Sequence, residues 1–148
     1  MSFFFTCLLT TFNFSSMTPV LSTQKNVLIF LRVVMGLIFI SHGAARLYYW
    51  SVPSFGGFLE GQGLHFGFWI AMFITVGEIV SGILLAFGYL IRYCIVFHSV
   101  VIATGIFLVH GRNGWFVVGH GSGGIEYSVL ILVVLVVLYF TQPHKSFK

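Results

Sequence analysis

Residues 66–90 read FGFWIAMFITVGEIVSGILLAFGYL, an apolar run broken by a single acid, Glu78. A helix needs about 20 apolar residues to cross a bilayer, so this stretch is long enough to span one. The whole chain holds only three acidic residues. An ionised side chain at the centre of a spanning helix costs about 2.5–3.5 kcal/mol on insertion scales. Glu78 is therefore expected to face the protein interior, where it has a partner or a task.

Composition extends this reading to the rest of the chain. Apolar residues make up 58% of the 148 positions and charged residues 7%, with a mean hydropathy of +1.03. A soluble domain could not cover so much apolar surface with so few charges. The run around Glu78 has three counterparts, and we place spanning helices at 27–50, 66–88, 93–111 and 124–141. None shows the alternating pattern of a barrel strand, which leaves helices as the spanning form. The expected fold is an all-α, four-helix transmembrane bundle over residues 27–141. A short interfacial or disordered arm (1–26, with Met17 an alternative start) precedes it and a tail (142–148) follows.

Basic residues set the orientation, because cytoplasmic loops retain Lys and Arg. Lys25, Arg32, Arg92, Lys145 and Lys148 fall on one side of a four-span arrangement, and Arg46 and Arg112 on the other. Both termini are thus predicted to be cytoplasmic, in a multi-pass protein of a bacterial inner membrane. Tyr48, Tyr49, Trp50 and Trp115 then mark the outer boundary, and Tyr89, Tyr93 and Tyr139 the inner one. The net charge of +4 reads as a topology signal rather than a nucleic-acid surface.

With depths assigned at about 1.5 Å per residue, five polar residues form a descending file. Glu126 and His110 lie at the outer ends of their helices. Arg46 and His42, one turn apart, lie below the outer end of the first helix, and Glu78 lies near the midplane. Thr75, Glu78, Ser81 and Gly82 share one helix face, while Gly36, Gly43 and Ala44 offer surfaces for close helix contact. Arg32 is expected to snorkel to the headgroups, and His98 to be a neutral imidazole bonded within the bundle. Glycines crowd both outer loops, which are expected to be flexible or tightly turned and to line or cover the file.

Three pieces carry a family resemblance: RVVMGLIFISHGAARL from Arg32, GEIVSGILLAFGYLIR from Gly77, and VHGRNGWFVVGHGSGGIEYSVLIL from Val109. In this order and at these helix positions they resemble the DoxX family of small four-span membrane proteins, over about residues 27–138. Arg46 stands where many relatives carry lysine, which retains the charge. By resemblance His42, Gly43 and Arg46 correspond to the family's histidine-glycine and basic motif. Glu78 corresponds to its glycine-glutamate motif, and Glu126 with Tyr127 to its glutamate-tyrosine pair. The resemblance implies a membrane redox setting, either quinone-linked or concerned with thiol and oxidative stress.

Two readings of the polar residues stay open at this point. In one, a quinone or similar small molecule is held by His42, Arg46, Glu78, His110, Glu126 and Tyr127, with Glu78 and His42 relaying protons. In the other, Arg46 and Arg112 merely neutralise Glu78 and Glu126, and the chain is a non-catalytic assembly, lipid-binding or partner-binding subunit. Expected partners are the bilayer and other redox subunits or a second copy. Haem b is a weaker fit, since only His42 and His110 come near the required facing pair. No metal is expected: the spacing of His110, His120 and Glu126 matches no ligand pattern. Cys7 and Cys94 form no C-x-x-C motif.

Overall fold

Long apolar runs in this chain become helices because each backbone N–H and C=O must be paired internally in hydrocarbon. The computed structural model describes residues 17–119 and 121–141. Expectations for Cys7, His120, Lys145, Lys148, the tail and the first part of the arm lie outside these residues. In chain order the elements are α1 (Met17–Tyr48), α2 (Val52–Gly61), α3 (Gly67–Phe87), α4 (Ile91–Leu108), a 3-10 turn (His110–Asn113) and α5 (Glu126–Thr141). No strand occurs among the described residues.

Three segments are long and apolar enough to cross a membrane: Thr23–Tyr48, Gly67–Phe87 and Ile91–Leu108. The fourth helix foreseen from sequence, α5, is apolar but has 16 residues, about 24 Å at the usual helical rise. The chain divides at Leu31/Arg32 into two units, and all packing described below lies within the second. Residues 17–26, assigned to an arm by sequence, are helical. Pro19 does not prevent this, because the first turn of a helix has no use for its backbone N–H.

Glycines bring α1 and α3 together antiparallel. A Cβ at Gly36 would lie 2.6 Å from the Gly82 carbonyl oxygen, and one at Gly43 would lie 2.7 Å from that of Thr75. Such backbone contact takes the place of the hydrophobic drive that lipid does not supply. Ala44, also expected at this seam, is exposed. α3 stops at Gly88, whose φ of 86° closes the helix as Tyr89 N–H returns to Leu84 O at 2.8 Å. Leu90, at φ 48°, starts α4 directly after this turn, so α3 and α4 form a tight hairpin. The Phe97 ring of α4 fills the space above Gly77.

The sequence reading missed α2. Gly56, Gly57 and Gly61 suggested a loop, but Val52, Phe55 and Leu59 lie on one helix face and Pro53 sits in the first turn. Val52 and Leu59 are buried with Ala71 of α3, backed by Phe55, Phe68 and Leu108. Gly56 makes this possible: a Cβ there would be 2.6 Å from Phe68 Cα. Glu60 Oε1 accepts the Gly67 N–H at 3.1 Å, placing a carboxylate at the positive end of α3.

At the other end of the bundle the interior is apolar. Met35, Leu85, Cys94, Ile95, Leu135 and Leu138 are all buried there. The Arg32 guanidinium lies over the Gly88 turn, where a Cβ would be 2.9 Å from its Nη2. The negative end of α3 favours a cation at this point. The Arg32 side chain is thus applied to the protein rather than extended away from it, and its Nε is buried without a partner.

Candidate functional site

Between the helices, on the α2 side of the midplane, lies a cavity of about 580 Å³. All five helices contribute to its lining. Phe39, Phe55, Phe58, Phe73 and Phe97 provide aromatic walls, and His42, Arg46, Glu78 and His110 are the ionisable groups on its surface. Phe55, Phe58 and Leu59 of α2 cover the end that the sequence reading left to a glycine-rich loop.

Glu78 and Arg46 meet across the α1–α3 seam. Arg46 Nη1 donates to Glu78 Oε2, and Nη2 lies 3.4 Å from Oε1. Glu78 reaches this position because the α3 face it shares with Thr75 and Gly82 is the buried one. Arg46 reaches down from the last turn of α1, its guanidinium 5.0 Å from the centre of the Phe55 ring. That aromatic face adds a weak attraction to the cation. The two opposite charges cancel, so the cavity carries a strong local dipole and no net charge from this pair.

His42 lines the same cavity one turn below Arg46. Its Nδ1 lies 2.9 Å from Ile38 O. A carbonyl only accepts, so Nδ1 carries a proton. Glu78 is bonded to Arg46 and not to His42. His110 also borders the cavity and donates Nδ1–H to Gly123 O at 2.7 Å.

Glu126 and Tyr127 do not join this group. Glu126 Oε1 accepts the Val117 N–H at 3.1 Å, and Tyr127 is exposed. Arg112 forms no ion pair with Glu126, in contrast to Arg46 with Glu78. Bonds from Ile125 N to Gly114 O (3.1 Å) and from Glu126 N to Trp115 O (3.1 Å) fold the 114–125 segment back on itself. Among the described residues of this loop, Gly114, Gly119 and Gly123 take the positive φ that tight turns require.

Beneath the cavity is a polar contact that the sequence only half revealed. His98 is 1% exposed, its Nε2 is 2.8 Å from Ser81 Oγ, and that hydroxyl donates to Gly77 O. The imidazole stacks on Phe39 with ring centres 3.5 Å apart and planes 8° from parallel. His98 therefore sits behind a cavity wall and fixes the orientation of the Phe39 ring.

No three His, Cys, Asp or Glu residues are grouped to hold a metal among the described residues. The cavity falls in the usual size range for small-molecule sites and is mostly apolar with a few converging polar groups.

No curated protein and no solved structure matches the chain significantly. The DoxX family model matches residues 27–111, more than half of the chain. The matched region holds His42, Arg46, Glu78 and His110 and ends before Glu126 and Tyr127. With its apolar spanning helices and this match through the ionisable groups of the cavity, the chain belongs to the DoxX family.

Proposed function

We propose that this protein is a four-span component of a membrane redox system, and that its cavity holds the ring of a quinone or a similar small molecule. The single observation that carries this reading is a 580 Å³ phenylalanine-walled cavity into which the Arg46–Glu78 pair and His42 both face. A quinone supplies two-electron, two-proton exchange when bound. His42 Nε2 accepts a hydrogen bond from a ring hydroxyl and takes its proton, with the Nδ1–H held by Ile38 O. Arg46 stabilises negative charge on a ring oxygen, and Glu78 holds Arg46 in place while offering a second proton site. His110 and Glu126, expected from sequence to share the ligand, hold in this reading the loop above through Gly123 O and the Val117 N–H, and Tyr127 is exposed.

In the proposed arrangement α5 is the fourth span and both termini face the cytoplasm of a bacterial inner membrane, with the cavity in the outer half. Cysteine scanning tests the topology: Asn113→Cys reacts with a membrane-impermeant maleimide added outside intact cells, and a cysteine at Tyr89 reacts only after permeabilisation. Quinone titration of the purified protein in nanodiscs, followed by tryptophan fluorescence, tests the site. Saturable quenching that is lost in His42→Ala and Glu78→Gln supports it, and unsaturable quenching rejects it.

A second reading rests on the completeness of the Arg46–Glu78 contact. Each charge already satisfies the other, as in a clamp that sets helix register. The chain then serves as an accessory subunit binding lipid, other redox subunits or a second copy. Copurification with a larger complex and no quinone in the organic extract would favour it.

A further inference from the structure

The acids of this chain lie far from the turn between α3 and α4. There are three of them, and each is engaged elsewhere: Glu60 accepts the Gly67 N–H, Glu78 meets Arg46, and Glu126 accepts the Val117 N–H. Even Glu78, on α3 itself, precedes Gly88 by ten residues, about 15 Å. No acidic side chain of the chain is thus placed to balance a cation at the Gly88 turn.

Arg32 is seated on that turn. A Cβ at Gly88 would lie 2.9 Å from its Nη2 and 3.0 Å from both its Cζ and its Nη1. Three atoms at equal distance mean that the face of the guanidinium covers the glycine, so its N–H edge is turned away from it. The Nε is buried and has no hydrogen-bond partner. The end of α3 supplies only about half a negative charge, which leaves the remainder for another anion.

The surroundings indicate where that anion comes from. Tyr89 and Tyr93 flank the turn at 66% and 70% exposure, and exposed tyrosines at the ends of spanning helices sit at headgroup level. Arg92, its guanidinium 5.4 Å from the centre of the Tyr139 ring, is a second cation at the same end. α4 starts there without a side-chain cap, which adds a positive helix end. At this depth the abundant anion is a lipid phosphate, and a guanidinium can donate to two of its oxygens at once.

We infer that the Gly88 turn binds the phosphate group of an anionic membrane lipid, with the Arg32 guanidinium as the main contact and Arg92 as the second cation. The site is separate from the cavity, whose lining includes neither Arg32, Gly88 nor Arg92, and it does not depend on what the cavity holds.

The test uses the full chain in a neutral detergent, titrated with phosphatidylglycerol, with phosphatidylcholine or with inorganic phosphate. Native mass spectrometry counts retained lipid, and thermal unfolding is followed in parallel. Wild type should retain phosphatidylglycerol in preference to phosphatidylcholine and melt at a higher temperature with it, while inorganic phosphate leaves the melting temperature unchanged. Arg32→Gln should weaken phosphatidylglycerol binding about tenfold, the loss of one hydrogen bond between charged groups. Arg112→Gln removes the same charge at the other end of the bundle and should have no such effect. Arg32→Lys keeps the charge without the planar fork, so its affinity should fall between those of wild type and Arg32→Gln. If Arg32→Gln keeps the wild-type preference, or Arg112→Gln loses as much, the attraction is diffuse and the inference is wrong. Should Arg32→Gln fail to fold, wild-type affinity in Arg32→Lys overturns it instead. Inorganic phosphate that stabilises wild type as well as phosphatidylglycerol does would mean that the site takes a soluble anion, and the assignment to a lipid would fall.

Discussion

Arg46 and Glu78, thirty-two positions apart in sequence, face each other across the α1–α3 seam with both guanidinium nitrogens directed at one carboxylate. Glu78 lies eleven residues into a helix that starts at Gly67, about 16 Å from that end. The pair therefore couples helix register to the electrostatics of the cavity.

Glu78→Gln leaves the Arg46 charge unbalanced in a partly buried setting. We expect a loss of about 3–5 kcal/mol, the usual result of removing one partner of such a pair. Adding Arg46→Met to it should recover much of that loss. Thermal unfolding in detergent of the two single variants and the double gives the coupling energy, and additive losses would refute a direct interaction.

Gly43→Ala and Gly36→Ala place a methyl group against the backbone of α3, and each should cost about 1–3 kcal/mol through overpacking. Gly57→Ala, with nothing within 4 Å of the new atom, should stabilise α2 by about 0.5–1 kcal/mol. Chemical denaturation of the three variants side by side checks the sign as well as the size.

Ser81→Ala strands the His98 Nε2–H in the core and should cost about 1–3 kcal/mol. Combining it with His98→Phe removes both polar partners while keeping an aromatic ring on Phe39, so the double variant should melt closer to wild type than Ser81→Ala alone. A double variant less stable than both singles would show that the imidazole has another role.

Glu126→Ala removes the acceptor of the Val117 amide. Hydrogen exchange should then accelerate across residues 114–125 while α3 and α4 keep their protection. Unchanged exchange at Val117 would mean that the backbone bonds of the loop suffice without the carboxylate.

Much of this architecture was legible because hydropathy and small residues record it directly. The predicted spans at 66–88 and 93–111 differ from α3 and α4 by no more than three residues at any end. The polar face through Thr75, Glu78 and Gly82 is the buried one. Depth counting put Arg46 above Glu78, and the reach of its long side chain closes the remaining distance. The sequence was silent where pairing depends on helix rotation or on a backbone partner. Nothing in it joins His98 to Ser81 and Phe39, and nothing shows that Glu126 serves an amide rather than Arg112. α2 was hidden because glycines that permit close helix contact look, in sequence, like glycines that permit turns.

The buried residues beyond His98 bear on the energetics of whatever the cavity does. Met35, Leu85, Ile95, Leu135 and Leu138 offer no side-chain group that could pass a proton or hold a hydrated ion. The Cys94 thiol and the Arg32 guanidinium are the polar exceptions at this end, and neither lines the cavity. The floor is thus an insulating layer of low dielectric, across which a charge moves only at high cost.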